Sequence, residues 1–138
     1  MAFSLQFDVL HRYAPSQSTG IPVPVSLSIG SRSVAVTAKL DTGASICIFS
    51  REYGEELGLD IEQGLPARIG TPTGGLFQAF GHTVTLDVLG IRLETIVYFA
   101  EYPDFPRSVL GRRGCLDRLS LALSDYDGRL YLSRGLLL

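Results

Sequence analysis

The 138-residue sequence predicts a single all-β domain, a compact β-barrel or sandwich with one or two short helices. Over much of the chain, apolar and polar residues alternate with the period of a β-strand. Turns that contain glycine or proline separate these runs at short intervals, as in barrels and sandwiches. Hydrophobic residues make up 46% of the chain and charged residues 19%, so a domain of this length can form a core.

The N-terminal part of the chain is predicted to form three strands. Alternating apolar residues predict the first strand at 3–9, and the polar segment 11–20 predicts a loop after it. Residues 23–29 and 34–40 alternate again on either side of a Gly-Ser turn, which predicts a β-hairpin. The second arm of this hairpin leads directly into a polar interruption of the apolar pattern.

One helix and five further strands are predicted in the rest of the chain. Ser50 is a candidate N-cap for a short helix at 51–57, which Gly58 would end. The remaining strands are predicted at 65–69, 76–88, 91–99, 119–124 and 129–133. Turn residues separate them at 70–75, 89–90, 102–106 and 125–128. The last two strands therefore form a terminal hairpin.

The polar interruption lies in residues 39–50, KLDTGASICIFS. It places Asp41, Thr42 and Gly43 inside a segment that is otherwise apolar. Burying an unpaired carboxylate is costly. The segment is therefore either a turn that reaches the surface or a site that uses the carboxylate.

Three segments of the chain resemble motifs of the aspartic proteases, and they occur in the same order. Residues 41–44 (DTGA) resemble the D-[TS]-G-[AST] signature. Residues 71–75 (TPTGG) resemble the glycine-rich flap, and 108–112 (SVLGR) resemble the segment that passes beneath the active-site loop. The resemblance covers about residues 21–133. It implies a retropepsin-like domain, a single-lobed closed barrel, and the whole chain 1–138 is predicted to be that one domain.

The resemblance implies an aspartic endopeptidase that cleaves an extended peptide or protein substrate. Its catalytic residues would be Asp41, Thr42 and Gly43. Its substrate-binding residues would be Ala44, Ser45, Thr73, Gly74, Gly75, Leu76, Val109 and Leu110. Hydrolysis needs two carboxylates that share a proton, and one lobe supplies a single DTG segment. The predicted active form is therefore a homodimer in which the Asp41 carboxylates of two subunits meet.

By the same resemblance, the residues around Asp41 take separate roles. Thr42 would brace the partner's loop, and Gly43 would let substrate backbone approach closely. The flap residues Gly74 and Gly75 would donate N–H groups to the substrate. One position departs from the retroviral pattern: Ser45 stands where those enzymes often have an aspartate that pairs with the arginine of the SVLGR-type segment. Arg112 must therefore have another partner.

The Asp41 segment is compatible with three other interpretations. The D-x-G-[ST] phosphate loop of sugar-kinase and actin-like ATPases is similar, but those folds need two α/β lobes and helices that this sequence lacks. A simple turn at the end of a strand would not account for the two other matching segments. A dimeric peptide-binding or scaffold module with the same fold but no hydrolysis remains the alternative function.

Composition bounds the possible partners. The net charge is −2 and the isoelectric point about 5.6, so neither nucleic acid nor a membrane surface is predicted as a partner. Cys47 and Cys115 are distant in sequence, and with His11 and His82 they show no metal-ligand spacing. No metal or cofactor is predicted, and the cysteines are expected to be buried free thiols. The N-terminal segment lacks the pattern of a signal peptide, which predicts a cytoplasmic location.

Overall fold

The computed structural model describes residues 1–15 and 20–135. In these residues the strands are β1 (Val9–Arg12), β2 (Ile21–Ile29), β3 (Arg32–Leu40), β4 (Ile48–Phe49), β5 (Leu65–Gly70), β6 (Leu76–Val88), β7 (Ile91–Ala100), β8 (Val109–Leu110), β9 (Leu119–Ser124) and β10 (Arg129–Arg134). Helix α1 covers Arg51–Glu56, and short 3-10 turns cover Ile61–Gln63, Leu116–Arg118 and Asp125–Asp127. Residues 16–19 of the predicted loop 11–20, and the apolar end 136–138, lie outside the described residues.

Seven strands form the main sheet, in the order β2-β3-β8-β4-β7-β6-β5. Strand β2 also pairs with β6, so the hydrogen-bonded pairings return to their starting strand and form a ring. Strand β5 pairs with the first half of β6 and extends it beyond this ring. The predicted all-β class is thereby confirmed, and the ring of pairings is what the expected barrel requires.

The longest hairpin, β6–β7, has the bounds that the sequence predicts to within one residue. Leu86 and Leu93 are both fully buried and lie opposite each other in its register. The turn residues Leu89 and Gly90 have φ angles of 54° and 93°, as a two-residue hairpin turn requires. Alternate side chains of this hairpin therefore contribute to the core, which also takes residues from β2, β3, β9 and β10.

A second sheet, in the order β1-β10-β9, covers one side of the ring. The terminal hairpin β9–β10 is confirmed, but the predicted strand at 3–9 is wrong, because pairing begins only at Val9 and continues to Arg12. Residues 1–8 lie outside any strand, although the Asp8 N–H still donates to the Leu132 carbonyl of β10 at 3.0 Å, and Phe3 and Leu5 are 84% and 74% exposed. Alternation alone therefore did not specify a strand where no neighbouring strand was available.

Helix α1 starts directly after Ser50, as predicted, but the Ser50 hydroxyl does not cap it. Instead the hydroxyl donates a hydrogen bond to the carbonyl oxygen of Phe105, at 2.5 Å. Gly58 has a φ angle of 82° just beyond the C-cap Leu57 and ends the helix as expected. The start of α1 is therefore tied to the loop that follows β7. None of the helices in the described part of the chain has the length and apolar character needed to cross a membrane.

Candidate active site

Asp41 is the first residue after β3, and it lies beside β8. The two strands run parallel, with Leu40 opposite Leu110, and the Asp41 N–H extends this pairing by donating to the Leu110 carbonyl at 3.0 Å. The chain then turns, since the Ala44 N–H donates to the Asp41 carbonyl at 3.2 Å. The Gly43 N–H donates to Asp41 Oδ1 at 2.8 Å, which orients the carboxylate. The Asp41 side chain itself is exposed.

The loop that carries Asp41 rests on the segment after β8. The N–H groups of Arg112 and Arg113 donate to the carbonyls of Ala44 and Ser45, at 2.8 and 2.9 Å. A Cβ on Gly111 would lie 2.1 Å from the carbonyl oxygen of Ile46, so only glycine fits there. Arg112 thus supports the loop through its backbone, and its exposed guanidinium forms no ion pair with the residues that the structure describes.

A pair of thiols lies beneath this loop. Cys47 and Cys115 are free, and both are 0% exposed, which confirms the prediction of buried free thiols. The Gly111 N–H donates to Cys47 Sγ at 3.4 Å. A hydrogen bond between the thiols lowers the pKa of Cys47 and, together with burial, raises the pKa of Cys115. The two sulfur atoms therefore connect the segment beneath the Asp41 loop to the hydrophobic core.

Strands β5 and β6 form a hairpin whose tip, residues 71–75, is a closed turn. The Thr71 N–H donates to the Gly75 carbonyl at 2.8 Å, and the Gly74 N–H donates to the Thr71 carbonyl at 3.0 Å. The Gly75 N–H donates to Thr71 Oγ1 at 3.0 Å. Both glycine N–H groups are thus engaged within the tip. To donate to a substrate, these two N–H groups must first break their hydrogen bonds within the tip.

The loop and the hairpin tip border one cleft of about 1000 Å³. Six of the residues predicted to form the site line this cleft: Asp41, Gly43, Ala44, Ser45, Thr73 and Val109. Four of the others are exposed outside its lining: Thr42, Gly74, Gly75 and Leu76. The remaining one, Leu110, is fully buried beneath Asp41. The three segments singled out in the sequence are therefore brought to one place by the fold.

An aromatic wall, defined as Phe77, Tyr102 and Phe105, also lines the cleft, and the sequence identified it only in part. Its ring centroids are 5.0 Å apart for Phe77 and Phe105, and 5.8 Å apart for the other two pairs. Because Phe77 lies beside the predicted flap segment, its position in the sequence is equally compatible with a pocket or with the core. The two aromatic residues of the 102–106 turn were the available signal, because loops rarely place large apolar side chains without a packing partner.

Three arginines complete the lining of the cleft: Arg68, Arg107 and Arg113. No sequence pattern joins these three arginines. Among residues 1–15 and 20–135, no group of three His, Cys, Asp or Glu side chains is arranged to hold a metal ion.

Comparison with known proteins relates this arrangement to one family. A family model described as aspartyl protease matches residues 23–121. Among solved structures, the EIAV protease in complex with the inhibitor HBY-793 aligns with a TM-score of 0.53 and 22% sequence identity, over 70% of this chain and 85% of that chain. This likeness shows a shared fold. A search of curated proteins finds no match.

Proposed function

Because the chain belongs to the aspartyl protease family, we propose that it is a dimeric aspartic endopeptidase that cleaves extended polypeptides. The observation that carries the proposal is the position of Asp41. Its carboxylate is exposed at the border of a cleft large enough for a peptide, and the Gly43 N–H orients it. A carboxylate in a polar loop of this kind is available to water and to a substrate carbonyl.

The count of carboxylates supports a homodimer. Asp41 is the only acidic residue among those that line the cleft in the described part of the chain. The aspartic mechanism needs two carboxylates close enough to share one proton, because like charges at that distance cannot both be ionised. A second copy of the chain supplies the missing group when the two Asp41 loops meet at a two-fold axis. The neighbouring Thr42 and Gly43 are exposed in the single chain and are free to pack there.

Each carboxylate then has a distinct task. The ionised one accepts a proton from the attacking water, and the protonated one donates a hydrogen bond to the scissile carbonyl. Gly43 and Ala44, which are small and line the cleft, leave room for the substrate backbone. The flap, residues 71–75, closes over the peptide and excludes water. In doing so it exchanges the internal bonds of Gly74 and Gly75 for bonds to the substrate.

Digestion of a peptide library tests this function. Peptides are incubated with the protein at several pH values from acid to neutral, with and without a statine-type transition-state analogue, and the products are identified by mass spectrometry. We expect cleavage that the analogue blocks, because such an analogue binds between the two carboxylates more tightly than a substrate does. Absence of cleavage by a protein shown to be dimeric would contradict the proposal and favour the non-catalytic peptide-binding module.

Dilution tests the homodimer. If each active site needs two subunits, activity per subunit should fall steeply as the protein is diluted through its dimer dissociation constant. Initial cleavage rates are measured over a dilution series, and analytical ultracentrifugation gives the fraction of dimer at the same concentrations. Activity per subunit that stays constant where the protein is monomeric would rule out a shared site.

A further inference from the structure

The charge of the cleft has the opposite sign to that of the whole protein. The chain has 14 acidic and 12 basic residues, for a net charge of −2. The residues that line the cleft include three arginines and one carboxylate, that of Asp41. Arg68 comes from β5, Arg107 from the loop before β8 and Arg113 from the turn after it. Three separate segments thus contribute arginine residues to the lining of one concave surface.

These three guanidinium groups have no partner in the described part of the chain. The ion pairs found there involve Arg51 and Arg129, and none involves a cleft arginine. No side-chain hydrogen bond of Arg68, Arg107 or Arg113 is formed with a described residue, although all three are exposed. Arginines that stabilise a fold or a loop are usually paired with a carboxylate or a carbonyl. In the cleft these three arginines are exposed, so their guanidinium groups are accessible to a ligand.

Large apolar residues also line the cleft. Two members of the aromatic wall, Tyr102 and Phe105, lie in the same loop as Arg107, and the third, Phe77, lies on β6. Ile69, on β5, lies next to Arg68 in sequence and packs with Phe77 against the buried residues beneath the cleft. An occupant therefore meets large apolar surface and unpaired guanidinium groups side by side.

We propose that the cleft selects peptides in which a large apolar residue is accompanied by an acidic side chain close to the scissile bond. This inference rests on the proposed function and names its substrate class. A glutamate or aspartate of the substrate forms charge-assisted hydrogen bonds with the cleft arginines, while an apolar side chain two residues away packs on the aromatic wall. In an extended peptide, alternate side chains lie on the same side, so both contacts can be made at once.

Selection also follows from repulsion. A lysine or arginine of a substrate would approach three guanidinium groups with only the Asp41 carboxylate to offset them, and that carboxylate is needed for the reaction. In a homodimer every cleft arginine occurs twice around the substrate. Peptides with basic residues near the cut should therefore be poor substrates, and added salt should reduce the preference for acidic ones.

The test uses end-capped decapeptides with a Phe-Leu centre and Glu, Gln or Lys at each flanking position. Cleavage is measured with the wild-type protein, and binding is measured by fluorescence anisotropy with Asp41→Asn, so that recognition is read without hydrolysis. We expect the Glu peptides to be favoured over their Gln counterparts on the order of tenfold in both measurements, as for one hydrogen bond to a charged group. Lys peptides should be the weakest.

Charge reversal assigns the preference to the cleft. Arg107→Glu and Arg113→Glu should each reduce the preference for Glu peptides and improve the use of Lys peptides. Arg92→Glu is the matched control: it makes the same change of charge at an exposed position of β7 outside the cleft, and it should leave the preference unchanged. Thermal unfolding verifies that the variants are folded.

The possible outcomes separate the two proposals. If the wild type cleaves nothing but Asp41→Asn still binds Glu peptides more tightly than Gln peptides, the endopeptidase proposal fails and the recognition of acidic peptides stands. If cleavage occurs with equal rates for Glu, Gln and Lys peptides, the endopeptidase stands and the inference is overturned. It is also overturned if the preference survives both charge reversals.

Discussion

Replacing Asp41 by asparagine is expected to abolish proteolysis while leaving the fold intact. Asparagine has the same shape but can neither accept a proton from water nor donate one to the scissile carbonyl. General acid–base catalysis by one group typically contributes 10²–10⁴-fold, so we expect kcat/KM to fall by about 10³-fold or more. In the proposed homodimer each subunit supplies one carboxylate, so the substitution removes both members of the pair.

The fold should tolerate this change. The Asp41 side chain is exposed, and an asparagine Oδ1 can still accept the hydrogen bond that the Gly43 N–H donates at 2.8 Å. We therefore expect the free energy of unfolding to change by less than about 0.5 kcal/mol. Urea unfolding measures this, and the library digestion described above measures activity.

Asp87→Asn is a matched control for Asp41→Asn. Asp87 Oδ1 also accepts a backbone N–H, from Gly90 at 2.9 Å, but it lies near the end of β6, beside the β6–β7 turn and outside the lining of the cleft. Its replacement should leave cleavage unchanged. Should the purified Asp41→Asn protein cut as fast as the wild type, Asp41 is not the catalyst.

Subunit exchange extends the same experiment. When an excess of Asp41→Asn is mixed with the wild type, most wild-type subunits should be captured in mixed dimers that carry one carboxylate. Activity should then fall in proportion to the remaining wild-type dimer. Undiminished activity under conditions of demonstrated exchange would mean that a single Asp41 is sufficient.

Local patterns predicted the hairpins well because both of their arms lie within one stretch of sequence. In β6–β7, the alternation of buried side chains and the Leu89-Gly90 turn occur together, so the strands could be placed to within one residue. The segment 3–9 shows the same alternation, yet only Val9 of it enters a strand. What it lacks is a neighbour, since the pairing of β10 with the N-terminal segment starts at Val9. Which strands pair with each other is set by the fold, and the periodicity of a single segment does not reveal it.

The candidate site also has one part that the sequence predicts and another part that it does not. The DTG loop could be found because its chemistry is carried by adjacent residues. The cleft arginines could not, because Arg68, Arg107 and Arg113 share no sequence motif and line one cleft only in the folded chain. The Ser50 hydroxyl shows the same limit: its expected partner was the adjacent helix, whereas the fold offers it the carbonyl of Phe105. Side chains form hydrogen bonds with groups that are near in space, and separation along the sequence does not indicate which groups these are.

Gly111→Ala is expected to destabilise the protein and to displace the loop that holds Asp41. The added Cβ would lie 2.1 Å from the carbonyl oxygen of Ile46, 2.6 Å from its carbonyl carbon and 2.9 Å from the carbonyl oxygen of Ala44. All three are backbone atoms, so no side chain can rotate away to make room. Overpacking of this kind costs about 3 kcal/mol, and for a chain of this size the melting temperature should fall by about 10 °C.

Activity should fall further than the loss of stability explains. Ala44 and Ile46 belong to the loop that holds Asp41, and the loop can relieve the contact only by moving away from the segment after β8. Two carboxylates that must share a proton tolerate little displacement, since misplacement by about 1 Å can cost 10²-fold in rate. Cleavage is therefore measured well below the melting temperature of the variant, where the protein is folded, and compared with the wild type at the same fraction of dimer.

Gly70→Ala separates this effect from the general cost of replacing a glycine. A Cβ on Gly70 would meet only Leu76 Cδ2, at the ordinary contact distance of 3.8 Å, and Gly70 lies in a β-strand without a positive φ angle. Gly70→Ala should have the same melting temperature as the wild-type protein. If Gly111→Ala also has the melting temperature of the wild type and cleaves at the same rate, then the close approach of Gly111 to Ile46 does not determine the position of Asp41. A Gly111→Ala protein that is folded, dimeric and inactive would instead show that this contact sets the geometry of the carboxylate pair.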